Sequence, residues 1–377
     1  TPASGAGGGA CPHPAIPIVT NIHRRLPARP IPVKAPPPRI ITMCTTETTP
    51  ARGTDCTPFQ VDPPGRSRYT LPRISAGERA AMTAPSTTAD RTATVEKLRG
   101  IAQTIREDVI AMLTEAGSGH PGGSLSATDM IVTLFVEEMR HKAADPHWPL
   151  RDRFVLSKGH CVPALYATLS RLGYFPHEEL LTLRRLGARL QGHPANSLLP
   201  GIEASTGSLG QGLSMALGMA LAHKLDFGDK THEEGAPRVY AMIGDGEMQE
   251  GQIWEAAMCA PRYHLDNLCV FLDYNRAQID GLVKDVMDID PVEDKWRAFN
   301  WHVRTINGHD HAEILDALDE ARRTKDRPTF IVAHTIKGKG VSLFEKDLVK
   351  WHGQAPSKDE AASAIADVKK GMTPASW

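Results

Sequence analysis

The stretch that decides the fold runs from Val239 to Gly281: VYAMIGDGEMQEGQIWEAAMCAPRYHLDNLCVFLDYNRAQIDG. It opens with a short apolar run, Val239 to Ile243, that ends in Gly244-Asp245-Gly246. Ile253, Trp254, Ala257 and Met258 then fall at i, i+1, i+4 and i+5, which gives a helix one apolar face. A second apolar run, Leu268 to Leu272, closes on Asp273-Tyr274-Asn275. Strand, helix and strand within about 30 residues make a parallel βαβ unit. Asp245 and Asn275 then sit at the carboxyl ends of neighbouring strands, the edge along which open α/β sheets bind ligands. Two oxygen-bearing side chains beside glycines suit a hard divalent cation carrying a diphosphate. A strand ending in Gly-Asp-Gly is also an ordinary turn, since both residues favour turns. Asn275 at the end of the next strand is what favours a site.

Composition narrows the class. The 377 residues include 43 Lys and Arg against 44 Asp and Glu, and a formal charge of −1 gives no reason to expect nucleic acid or an anionic membrane as partner. No apolar run approaches the roughly 18 residues of a membrane span. The six cysteines (Cys11, Cys44, Cys56, Cys161, Cys259, Cys269) contain no C-x-x-C pair, so their spacing argues against zinc. Cys259 and Cys269 lie in apolar segments and read as reduced core thiols of a cytoplasmic protein.

Residues 1–81 differ from the rest. They hold 15 of the 29 prolines and ten basic against four acidic residues. Runs such as Pro36-Pro37-Pro38 permit neither helix nor central strand, so residues 1–90 are expected to be a disordered Pro/Arg-rich extension. The prolines prevent a transit-peptide helix, and no apolar signal core is present. Met82 is the expected true start, which peptides from 1–81 in mass spectra of the native protein would refute. Residues 91–356 are expected to form one domain and 357–377 an exposed helix and tail. Strands alternate with helical patterns from Arg153 to Thr335, which predicts an α/β fold with a doubly wound, mostly parallel sheet and helices on both faces.

Around that unit, glycine and histidine recur together. Val95 to Leu113 is an amphipathic helix. Glu115 to Ser124 is a glycine-rich loop holding His120, and Ser126 to Met139 is a helix with Ser126 as its cap. Arg153 to His160 (RFVLSKGH) reads as a strand and turn in which Lys158 and His160 are cationic donors or simply polar turn residues. Helical spacing follows over Val162 to Leu172 and His177 to Leu186. Gln191-Gly192-His193-Pro194 is a further glycine–histidine turn. Glu203 to Gly212 does not fit G-x-G-x-x-G, but it suits a tight loop opening the helix Leu213 to Leu225. Trp301 to Ile306 and Thr329 to Thr335 read as strands, with a helix over His311 to Arg323 between them. Lys337 and Lys339 occupy a turn, and His352 lies in Trp351-His352-Gly353.

Gly-Asp-Gly with Asn about thirty residues on is the thiamine-diphosphate motif. With RFVLSKGH, GSLGQG and WHG, the chain from Val95 to Pro356 resembles the amino-terminal half of transketolase. The resemblance implies thiamine diphosphate held through Mg2+, with Ca2+ or Mn2+ as substitutes, on Asp245, Asn275 and the Ala277 carbonyl. It implies Lys158, His160, Gly246 and Lys337 near the diphosphate, and Gly207, Ser208 and Leu209 at the aminopyrimidine. His120, His193 and His352 would serve the reacting groups and Glu250 the partner's carboxylate, since imidazoles near neutral pKa suit proton transfer.

Transketolases draw a glutamate for the aminopyrimidine from a further domain. The implied protein is therefore the amino-terminal subunit of a split transketolase, active only with a carboxy-terminal-type partner, as a heterotetramer acting on sugar phosphates. Alternatives are deoxyxylulose-phosphate synthase or another thiamine-dependent transferase, and a non-catalytic regulatory subunit that binds the cofactor.

Overall fold

The computed structural model describes residues 88–370 except 229, 231 and 233. The disorder expected over 1–90 falls on residues outside this range, apart from the first turn of a helix that begins at Thr88. The tail after residue 370 also lies outside it. Helix α1 (Thr88–Ala116) buries Leu98, Ile101, Ile105, Val109 and Met112, the face its spacing dictates. Helix α2 (Pro121–Thr133) ends in a π turn, Leu134–Glu138. Strand β1 (Arg153–Leu156), helix α3 (Val162–Arg171) and helix α4 (Gln211–Phe227) follow. Then come β2 (Val239–Gly244), α5 (Gly251–Arg262) and β3 (Leu268–Tyr274). A small hairpin pairs β4 (Ala277–Gln278) with β5 (Gly281–Leu282). Short helices α6 (Val283–Val286) and α7 (Val292–Ala298) lead to β6 (His302–Asn307), α8 (His311–Arg323) and β7 (Thr329–His334). Helices α9 (Ser342–Lys346) and α10 (Lys358–Lys369) complete the described chain.

Five strands form a wholly parallel sheet in the order β1-β2-β3-β7-β6. The expected doubly wound α/β sheet is therefore present. Its middle strands are mostly apolar, with Asp273 near the end of β3, because both faces are covered, as parallel sheets require. Alternate residues divide between two cores. Tyr240, Met242, Cys269, Phe271 and Ile331 face α1, α2, α3 and α8. Val239, Ala241, Ile243, Leu268, Val270, Leu272 and Phe330 face α4, α5 and Trp296 of α7. After β3 the chain crosses to the edge strand β6, and α8 brings it back to lay β7 beside β3.

Four local expectations are corrected. The helix expected from Ser126 begins at Pro121, whose fixed φ suits a first helical position. Gly122 and Gly123 are helical, and they are small for packing rather than for flexibility. A Cβ on Gly122 would lie 2.8 Å from the Trp351 carbonyl, and one on Gly123 2.6 Å from Cys161 Sγ. Ser126 is thus no cap; it is buried inside the helix. Of the helix expected over His177 to Leu186, only a 3-10 turn at His177–Thr182 forms, and Arg184 turns the chain with φ 60°. Met258, expected on the apolar face of α5, is 56% exposed, while Ala256 and Ala260 are buried there instead. Finally, α10 is not an exposed appendage, because Ala361, Ala364 and Val368 enter the core that contains α1.

Candidate active site

Four strand ends meet at one level. The in-register pairs Gly244 with Asp273 and Tyr274 with His334 align β2, β3 and β7, so Asp245, Asn275 and the turn bearing Lys337 emerge side by side. β1 contributes Lys158 and, from the turn Gly159–Cys161, His160. His120 stands immediately before α2, and His352 comes from the turn Lys350–His352. Gly207 and Leu209 come from the loop that opens α4. With His193, Gly246, Glu250 and Ala277 they line a cavity of about 380 Å³. Ser208 is the exception among the expected residues: it is exposed, outside the cavity lining, and its carbonyl accepts from Gln211 N at 3.4 Å.

The imidazoles gather as the motifs imply. The His120 ring centroid lies 5.0 Å from that of His160, 5.6 Å from His352 and 6.4 Å from His193. Burial, followed by the nearby charge of Arg184, lowers His120 to about 4. Burial and then Lys337 lower His352 to about 3. Burial also pushes His160 and His193 down. Burial thus favours the neutral form of all four, in which each ring offers one nitrogen as a hydrogen-bond acceptor. The glycine–histidine pairings have a steric reason at one point: Gly207 has φ 147°, and a Cβ there would lie 3.0 Å from the His193 ring.

The floor is a closed polar network centred on Asp273, a residue the motifs did not single out. Its carboxylate is wholly buried in β3 and accepts from Ser126 Oγ at 2.6 Å, Asn275 Nδ2 at 3.0 Å, Thr335 Oγ1 and Lys158 Nζ. Burial opposes charge on Lys158, but Asp273 outweighs it and raises the ammonium's pKa. Lys158 reaches the cavity, yet its charge is already matched. Glu247 is the second missed residue. It accepts from Gly210 N at 2.9 Å, Gly244 N at 3.0 Å and Ser157 Oγ, tying the loop before α4 to the end of β2. Both carried a visible signal. Asp273 is a lone charge in an apolar run, and Glu247 directly follows Gly-Asp-Gly.

The expected donor set fits a cation that brings phosphate oxygens. Asp245 accepts from Gly246 N at 2.8 Å and from Arg276 N, and Asn275 Oδ1 accepts from Ala277 N at 3.2 Å. Burial, then the Asp273 carboxylate, raises the Asp245 pKa, against the Gly246 and Arg276 N–H groups and the Lys337 ammonium, which favour its ionised form. The Ala277 carbonyl accepts from Lys337 Nζ at 2.7 Å, and the same ammonium meets His352 Nδ1 at 2.7 Å. Burial lowers Lys337 to about 8. Among the described residues no group of three or more His, Cys, Asp and Glu is arranged to hold a metal. One carboxylate, one amide and one carbonyl are too few for a cation alone, whereas Mg2+-type sites usually complete their shell with phosphate and water.

Comparison with known proteins identifies the family. Residues 98–376 match the family described as transketolase, thiamine diphosphate binding domain. The chain is 45% identical over 269 residues to the 6-deoxy-6-sulfo-D-fructose transketolase subunit of a Clostridium species, covering 71% of this chain and 95% of that one. It is 40% identical to an apulose-4-phosphate transketolase subunit of Phocaeicola vulgatus, covering 73% and 95%. Against human transketolase the identity is 39%, over 73% of this chain but 42% of the longer protein. The transketolase structure from Leishmania mexicana superposes with a TM-score of 0.68 at 33% identity, again over 74% of this chain and 42% of the other. The chain thus spans nearly all of two named subunits and less than half of the full-length enzymes. It belongs to the transketolase thiamine-diphosphate-binding domain family.

Proposed function

We propose that this chain is the cofactor-binding subunit of a two-chain transketolase, which moves a two-carbon ketol unit reversibly from a ketose to an aldose. The observation that carries this reading is the pair of coverages, 95% of two proteins named as transketolase subunits against 42% of human transketolase. Thiamine diphosphate, when bound, would supply an electron sink for the carbon–carbon bond change. Asp245, Asn275 and the Ala277 carbonyl would hold Mg2+ and through it the diphosphate, with Ca2+ or Mn2+ as substitutes. Lys337 and His160 would donate to phosphate oxygens, and Lys158 would act through Asp273 to keep the floor in place. His120, His193 and His352, being neutral, would accept protons from or hydrogen-bond the sugar hydroxyls. Glu250 would meet a carboxylate of the partner chain, whose glutamate serves the aminopyrimidine.

Both close relatives are named for ketoses with a terminal anionic group, a sulfonate in one and a phosphate in the other. The proposed donor is accordingly a ketose with a terminal phosphate or sulfonate. Ketol transfer from xylulose 5-phosphate and from 6-deoxy-6-sulfofructose to an aldose phosphate tests the proposal, with thiamine diphosphate, Mg2+ and a carboxy-terminal-type transketolase chain present. Turnover is expected only when both chains are mixed. Full turnover by the single chain would remove the partner. Cofactor uptake that Asp245→Ala leaves intact would remove the site.

A further inference from the structure

Lys337 enters the cavity from a turn that is held from behind. Asp129, on α2, forms a bidentate pair with Arg106 of α1, Nη1 to Oδ1 at 3.0 Å and Nη2 to Oδ2 at 2.6 Å. Its Oδ2 also lies 2.7 Å from His309 Nδ1. The other nitrogen of that ring, Nε2, accepts the backbone N–H of Ile336 at 2.8 Å. An accepting Nε2 fixes the tautomer: the neutral ring carries its proton on Nδ1 and donates it to Asp129. Arg106 grips the same turn further on, Nε donating to the Lys339 carbonyl at 3.1 Å. One carboxylate therefore orients two side chains that hold the backbone on either side of Lys337.

The approach of the two segments is close enough to require glycine. A Cβ on Gly308 would lie 2.5 Å from Thr335 Cγ2 and 3.0 Å from Ala333 Cβ. Behind the turn there is a cavity of about 270 Å³, lined by Arg106, Asp129, His309 and Lys339. On that side His309 and Arg106 hold the Ile336 N–H and the Lys339 carbonyl, and between them Gly338 N donates to the Gly122 carbonyl at 2.9 Å. On its inner side, Lys337 Nζ bridges the Ala277 carbonyl and His352.

We propose that His309, oriented by Asp129, is a positioning residue that sets where Lys337 presents its ammonium to the cavity. The role of Lys337 toward a diphosphate rests on the function proposed above, whereas the clamp itself rests only on the contacts just described. The clamp orders a single turn, so its loss loosens that turn without unfolding the sheet beside it.

Amide hydrogen exchange of the full chain tests this, read on peptides covering 335–340 and, as reference, β7. His309→Ala is expected to speed exchange at Ile336 about tenfold while β7 keeps its protection, the effect of losing one hydrogen bond. Calorimetry with thiamine diphosphate and Mg2+ is expected to read a Kd raised by a similar factor. His309→Gln, whose side-chain carbonyl can accept the Ile336 N–H, is expected to restore most of both. Unchanged exchange at the turn, equal acceleration throughout the sheet, or no rescue by glutamine each overturn the proposal. If the wild-type chain takes up no thiamine diphosphate even with a partner, the functional reading falls, and the exchange measurement still judges the clamp.

Discussion

The floor of the cavity and its mouth are built on opposite plans. At the floor, Asp273 gathers Ser126, Lys158, Asn275 and Thr335 onto one buried carboxylate, and Glu247 ties down three further donors. At the mouth, Glu250 is exposed and makes no side-chain hydrogen bond or ion pair among the described residues, and His193 is half-buried. A closed network fixes geometry but leaves little spare capacity, while an open one leaves capacity for whatever docks there. Substitutions at the floor are therefore felt in stability and cofactor binding. Substitutions at the mouth are felt only once other molecules arrive.

The hardest test of the contrast is Asp273→Asn, which leaves the Lys158 ammonium buried without its counter-charge. A loss of about 3–5 kcal/mol is expected, read from urea unfolding, because breaking a buried pair strands one charge. Asp245→Asn separates function from stability at the same floor. Burial and Asp273 already press against the charge of Asp245, so the unfolding midpoint should hold or rise. Thiamine diphosphate with Mg2+ should nevertheless bind about 100-fold more weakly by calorimetry, through loss of the charged ligand.

Acid acts through the histidines of the cavity. The folded pKa of His120 is lowered from 6.5 to about 4, so the unfolded chain takes up that proton first. Stability is full above pH 6.5 and is lost as pH falls toward 4. His352, lowered to about 3, adds to the loss in the same direction. Thermal unfolding near neutral pH and near 4.5 should show the drop, and His120→Gln should make it shallower. The smallest effect is expected at the mouth. Glu250→Gln should change stability by no more than about 0.5 kcal/mol, as for other surface substitutions. A drop in two-chain turnover with unchanged stability would confirm that this carboxylate acts outward.

What could be read from the sequence follows a physical divide. Strands β2 and β3 are apolar runs closed by polar residues because both faces are covered, so their ends, and with them Asp245 and Asn275, were legible. The start of α2 was not, since Gly122 and Gly123 look like loop residues unless Trp351 and Cys161 are known to press against them. Asp273 stands out in its run, but only the fold shows that four donors converge on it. The clamp behind Lys337 joins Arg106, Asp129, His309 and Ile336, which are too far apart along the chain for any local pattern to connect them. Ser208 shows the limit of a motif, which assigns a whole phrase, whereas in the loop Gly207 and Leu209 line the cavity and the Ser208 side chain is exposed.

The alternation along β3 has a consequence for tolerance to change. Phe271 belongs to one core and Val270 and Leu272 to the other, so sliding the strand by one residue would evict both sets at once. Gly244 of β2 pairs with Asp273 of β3, so this register and the gap of about 4.8 Å between hydrogen-bonded backbones set where Asp245 and Asn275 leave the sheet. Such a ruler does not depend on which aliphatic side chains fill either layer. Conservative repacking of either layer should wear away the protein's heat resistance long before it moves the two ligands apart.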